Sequence, residues 1–278
     1  MDKDIHYCEQ CSKTPEDIRE NYISITKEDC MKAIITDLDR TLLHSDKSVS
    51  EHTIAVLKKC HDQGILIMAA SARPLRDILI YNDLIGFDAI TATNGAVVSL
   101  PRNLLEVGIS CESGEKILSA ILQYPDVFLS IETSKGLYSN RDIPIWEPVV
   151  WDKFPTLPEG IILYKILASS QQKPLYEGIE TTLTDDVYHT IANNDLIQIM
   201  SNEATKWNGI KQMLSHFNIS PSDAVYFGDD NDDIEPIKNC GLGVAVSNAI
   251  PFVLDVADRI IDSNDMDGVA KFIEENLL

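Results

Sequence analysis

Basic residues are scarce in this sequence: 23 Lys and Arg stand against 44 Asp and Glu over 278 residues, a formal charge of −21. A chain so acidic repels phosphate backbones and anionic lipid surfaces, so neither nucleic acid nor a membrane surface is expected as a partner. No run of 18 or more apolar residues occurs, which leaves no candidate for a membrane-spanning helix. The opening Met1-Asp2-Lys3-Asp4 is acidic and leads into no apolar signal core, so a cytoplasmic protein is expected. Proline, serine and glycine tracts are missing too, while apolar residues (44%) run the whole length, a composition that argues against extended disorder.

The six cysteines, Cys8, Cys11, Cys30, Cys60, Cys111 and Cys240, show no disulfide-framework spacing and read as reduced thiols. Cys8 and Cys11 form a CxxC with His6 before it and Cys30 beyond. No second CxxC or paired His completes a zinc site, so residues 1–30 read as an N-terminal extension.

From residue 32 short apolar runs alternate with helical patterns, the signature of βα units on a parallel sheet. Strands are expected at 33–36, 65–70 and 89–92, with helices over 49–62 and from Pro74 to about Leu84. The rhythm resumes with strands at 196–200, 224–227, 243–246 and 259–261 and helices at 204–217, 251–256 and 266–276. Residues 97–194 read differently, with strands expected at 127–132, 137–139 and 161–168 and helices at 113–123 and 173–183. The expected fold class is therefore α/β, a doubly wound, Rossmann-like parallel-sheet core from residues 31–96 and 195–278, with an inserted α+β lid (cap) domain over 97–194.

Four groups of polar residues fall at the ends of expected strands. Asp37-Leu38-Asp39 leaves the first strand, and in an open parallel sheet the carboxyl ends of strands form the ligand crevice. Two carboxylates there suit a magnesium ion, with one as nucleophile and the other as acid and base; alone, the pair reads equally as a turn cap. Ser71-Ala72-Arg73 ends the second strand and offers a hydroxyl and N–H groups to a phosphate, or simply a helix cap. Lys206 stands where it would neutralise Asp37 and an incoming phosphate, though a lysine there also reads as solvated surface. Asp229, Asp230, Asp232 and Asp233 crowd four carboxylates into five residues, a cluster that repels itself without a divalent ion.

The order of these pieces resembles the four motifs of the haloacid dehalogenase superfamily, and the layout resembles its Cof-type sugar-phosphate phosphatases over nearly all of residues 32–278. Thr93-Asn94-Gly95-Ala96 at the lid junction, the stretch Gly241 to Ala249, Ala257-Asp258 and Asp267-Gly268-Val269-Ala270 share in the likeness. The resemblance implies a magnesium-dependent phosphatase acting on a small phosphorylated metabolite, as a monomer or weak homodimer. By the same likeness Asp37 is the nucleophile and a metal ligand. Asp39 is the general acid and base and gives its backbone carbonyl to the metal, and Asp229 and Asp233 complete the metal site. Leu38, Ser71, Ala72, Arg73, Asn94, Lys206 and Asp232 are implied on the phosphate and substrate side.

Three positions depart from the pattern: Arg40 and Ala72 replace glycines, and the family's Asn-Asp pair falls on Asp232-Asp233, while Asn231-Asp232 lies one residue early. The register with Asp229 and Asp233 is the one favoured here, with Asp232 in place of Asn and placed on or beside the metal or turned toward Lys206. Related phosphomannomutases share these motifs but return the phosphate to substrate, and a phosphate-ligand sensor without turnover is the reading from a different class.

Overall fold

The computed structural model describes residues 31–144, 146–170, 175–192 and 196–278; the extension with Cys8, Cys11 and Cys30 lies outside them. Five strands come first, β1 (Ala33–Thr36), β2 (Leu66–Ala70), β3 (Ala89–Ala92), β4 (Val97–Leu100) and β5 (Asn103–Glu106). Six follow, β6 (Phe128–Thr133), β7 (Gly136–Ser139), β8 (Val149–Val150), β9 (Leu163–Ser169), β10 (Val187–Ala192) and β11 (Leu196–Ser201). The last three are β12 (Ala224–Gly228), β13 (Leu242–Val246) and β14 (Arg259–Ile261).

The larger sheet runs β14-β13-β12-β1-β2-β3-β4-β5, parallel from β14 to β3. Its central strands are continuous apolar runs because helices cover both faces, and Ile34, Ile35, Ile67, Met68, Val225, Tyr226 and Phe227 are all fully buried. Helix Glu51–Asp62 turns Val56, Leu57 and Cys60 inward, and Ser50 caps it by accepting the Thr53 N–H. The strand order reverses around β1, so the carboxyl ends of β1, β2 and β12 open on one crevice.

The second sheet runs β10-β11-β9-β6-β7-β8, antiparallel except where β7 meets β8. It has its own apolar core, in which helix Cys111–Ile121 packs Ile117, Leu118 and Ile121 among Leu129, Ile131, Ile166, Ile197 and Ile199.

Two expected boundaries move. After Thr93–Gly95 the chain folds back, β4 pairs antiparallel with β3 (Ile90 opposite Ser99) and β5 with β4. The larger sheet therefore extends to Glu106, beyond the expected limit at residue 96. At the other end, the strand expected in the core at 196–200 is β11, which pairs with β9 and β10 in the second sheet. Ile197 and Ile199 alternate into the second core, which fixes its membership; the helix that follows at once imitates a βα unit. Of the helix expected over 173–183, the described residues form Tyr176–Ile179 and a 3₁₀ turn at Glu180–Thr182, and β10, absent from the sequence reading, takes up residues 187–192.

Candidate active site

Asp37 follows β1 directly, and its N–H still pairs with Phe227 as though the strand continued. That pairing aims the carboxylate into the crevice beside the end of β12. Lys206, the first residue of helix Lys206–His216, reaches in from the other side, its Nζ 2.8 Å from Asp37 Oδ1 and 2.6 Å from Asp233 Oδ1. The helix start is seated against the Thr93–Gly95 turn: a Cβ on Gly95, whose φ is +102°, would lie 2.0 Å from the Thr205 carbonyl oxygen. Only glycine accepts that conformation and that approach.

Asp233 is the most tightly held acid. Its Oδ2 accepts the N–H groups of Asp229 (2.8 Å) and Asp230 (2.9 Å), and its Oδ1 accepts from Lys206 and from Tyr226 Oη at 2.5 Å. The approach needs Gly228, where a Cβ would stand 2.5 Å from Asp233 Cβ. Asp229 accepts from Thr41 Oγ1 at 3.0 Å, with Arg40 Nε 3.8 Å away at the rim.

Carboxylate oxygens of Asp37, Asp229 and Asp233 lie within 4.8 Å of one another, and all three residues are buried. Three carboxylates against the one ammonium of Lys206 leave an excess of negative charge. Burial, reinforced by Asp233 and Asp229 and opposed by Lys206, pushes Asp37 well above the ordinary carboxylate range. Burial and the Asp233 charge raise Asp229 to about 6. On Lys206 burial acts downward, but the Asp233 and Asp37 carboxylates outweigh it and hold the ammonium charged. Hard oxygen donors carrying surplus charge fit a divalent cation of the magnesium type.

The remaining expected residues fall nearby in different postures. Asp39 is gripped by Arg73, Nε to Oδ2 at 2.6 Å and Nη2 to Oδ1 at 2.8 Å, and by Lys47 at 2.7 Å. Burial alone would raise it, yet these bonds bring it down to about 2. Ser71 is buried, and its Oγ accepts the Arg73 N–H at 3.2 Å. Leu38 is fully buried with its carbonyl taken by Thr41 and Leu43. Ala72 is exposed, and its carbonyl faces Lys165 at 3.4 Å.

In the acidic loop Asp233 is wholly buried and Asn231 is exposed, bonded to its neighbour Asp230. Asp232 accepts from Asn94 Nδ2 and lies outside the three-acid cluster, while the charges of Lys206 and Lys165 oppose the burial that raises its carboxyl. Arg40 adopts φ +62°, the left-handed conformation a glycine would take without strain, and is held by exchanging bonds with Asn248.

Sequence reasoning missed Thr41, Tyr226, Lys47 and Lys165. For Lys165 a signal existed, a lone charge inside the apolar run Leu163 to Ala168. Tyr226 looked like any strand residue of a buried sheet.

Comparison with known proteins shows the family of the chain. The family model for haloacid dehalogenase-like hydrolases matches residues 34–273. The 5-amino-6-(5-phospho-D-ribitylamino)uracil phosphatase of Bacillus subtilis is 25% identical over 262 residues, spanning 87% of this chain and 96% of its own. A phosphatase of the haloalkanoate enzyme superfamily from Bacteroides thetaiotaomicron superposes with a TM-score of 0.76 at 24% identity, covering 88% of this chain and 94% of that one. A subclass IIB sugar phosphatase superposes with a TM-score of 0.74 at 18% identity, covering 88% and 98%. These two structures share the fold.

Proposed function

Since this chain belongs to the haloacid dehalogenase-like hydrolases and is a phosphatase, we propose that it hydrolyses a small phosphorylated metabolite, a sugar phosphate, through an aspartyl-phosphate on Asp37. The observation that carries this reading is the buried contact of Lys206 with Asp37 inside the three-acid cluster, which no structural role for a surface loop requires.

In the proposed course, Lys206 holds Asp37 Oδ1 and orients the carboxylate, leaving Oδ2 to attack phosphorus. The P–O bond to the leaving group breaks, and Asp39 gives that oxygen its proton. Asp39 then takes a proton from the water that attacks phosphorus, breaking the bond to Asp37 and releasing inorganic phosphate. Asp39 is held here as an anion by Arg73 and Lys47; when Arg73 exchanges it for the incoming phosphate beside Ser71, its carboxylate takes up from solvent the proton that it then gives to the leaving group. Magnesium, held by Asp37, Asp229 and the Asp39 carbonyl with Asp233 beside them, would supply charge neutralisation for the transferred phosphoryl group.

The second sheet acts as a lid in this reading. Arg76 of helix Leu75–Ile85 makes a two-point ion pair with Glu132 on β6 (2.5 and 2.9 Å), and Tyr164 on β9 donates to Glu106 on β5. These contacts hold the sheet against the crevice, where it would exclude water until the aspartyl-phosphate has formed.

Magnesium-dependent release of phosphate from p-nitrophenyl phosphate, abolished in Asp37→Asn, is the direct test. Turnover that survives that substitution, or that ignores removal of magnesium by chelation, would sink the proposal.

A further inference from the structure

Beyond the carboxylate cluster, the two sheets jointly bury a second polar group. Lys165 lies on β9, opposite Glu132 on β6, and is only 5% exposed. It makes no direct ion pair among the described residues; instead it donates to Asn94 Oδ1, to Gln198 Oε1 at 3.1 Å and to the Ala72 carbonyl at 3.4 Å. The other end of the Asn94 amide donates to the Asp232 carboxylate. The Asn94 backbone N–H bonds the Ser71 carbonyl at 3.1 Å. One residue in a left-handed turn (φ 56°) thus ties a lysine of the second sheet to Ser71 and to Asp232.

The chemistry of this chain favours the arrangement. An ammonium taken out of water without an opposite charge is costly. Burial lowers Lys165 to about 8, while Asp232 and Glu132 act to keep it charged. At position 232 a carboxylate offers acceptors only, so Asn94 must present its NH₂ there and its oxygen to Lys165. The Lys165 ammonium in turn only donates, so the two charged groups together fix the Asn94 amide in one orientation.

We propose that Lys165 is a positioning residue for phosphoryl transfer, acting from the second sheet through the Asn94 amide on Asp232. The inference rests on the phosphatase reading. Without the ammonium, Asn94 loses the partner of its oxygen, and the Ser71, Asn94 and Asp232 side of the phosphate pocket loosens. Asp37, Lys206 and Asp233 keep their own bonds and stay in place.

A double-mutant cycle on the full-length protein with magnesium and p-nitrophenyl phosphate tests this, using Lys165→Met, Asp232→Asn and the pair, each checked by thermal melting. The expected result is that Lys165→Met lowers kcat roughly tenfold with a smaller change in KM, and adds little in the Asp232→Asn background. Lys165→Gln, which can still donate to Asn94, should recover part of the loss, and it takes the place of Met in the cycle if Lys165→Met does not fold. An equal loss in both backgrounds would overturn the proposal, since Lys165 would then act independently of Asp232. So would a rise in KM alone, the mark of a substrate contact, or a lower melting temperature with unchanged kcat, the mark of a scaffold. Failure of the phosphatase reading is separable: the wild type would then release no phosphate, and the same cycle would be read from orthovanadate binding.

Discussion

Tyr226 donates its hydroxyl to Asp233 at 2.5 Å, and both residues are completely buried. With Lys206 and two backbone N–H groups also donating, the Asp233 carboxylate accepts four hydrogen bonds in all. Asp233 is thus a fixed strut that holds Lys206 and the Asp229 backbone in place. Removing the hydroxyl in Tyr226→Phe strands one acceptor of a buried anion. The expected loss of stability is about 1.5–3 kcal/mol, read from denaturant unfolding. As an outer-shell change it should also lower magnesium affinity or turnover by roughly 10- to 100-fold. Wild-type values for both would show that Tyr226 merely fills space.

Asp37→Asn and Asp39→Asn are each expected to lower kcat by roughly three orders of magnitude or more while the protein stays folded, because nucleophile and proton carrier act as one unit. Steady-state kinetics beside circular dichroism decides it; a variant keeping a tenth of the wild-type kcat would refute the role assigned to that residue.

Magnesium should stabilise the fold in a pH-dependent way. Asp229 is raised to about 6 in the metal-free site, above its unfolded value. The metal-free protein therefore binds the extra proton when folded, and this contribution to stability, present at low pH, is lost as pH rises through about 6. Magnesium needs the ionised form, so its effect should grow over the same interval. At neutral pH and a hundredfold excess over Kd the gain is about 2.7 kcal/mol. Thermal melts with and without chelator between pH 4.5 and 8 (pH values chosen to bracket the shift by roughly two units) should diverge upward; parallel curves would contradict the site.

Glu132 is buried in the second sheet, and Arg76 from the larger sheet's helix layer neutralises it. Arg76→Met leaves that acid without its partner, although the half-exposed arginine limits the damage. A loss of about 1–3 kcal/mol is expected, and Glu132→Gln in the same background should restore part of it. If Arg76→Met and the double variant melt alike, the pair does not hold the sheets together.

Much of this was legible from residue order because a buried parallel strand leaves an unbroken apolar run. Ile34 and Ile35 before Asp37, and Val225 to Phe227 before Asp229, mark strand ends wherever they occur. Strand partners are not written that way. Leu196–Ser201 has the same apolar character as a core strand, and only its pairing with β9, far back in the chain, assigns it to the second sheet. Likewise the pairing of Arg73 with Asp39 is not written in either motif, because that attraction depends on the distance between two loops.

The pairing of Ala33 on β1 with Ala224 on β12 bears on how the protein is made. Everything needed for the second sheet and its apolar core emerges from the ribosome before residue 224 does. Domains generally fold as units during synthesis, and distant strand pairings form slowly. A nascent chain would thus finish its cover first, with one edge of β1 bare and Asp37 lacking the acids of the β12 loop. The means of shielding a substrate would exist before the means of cleaving it, and the unpaired β1 edge is where chaperones would be needed.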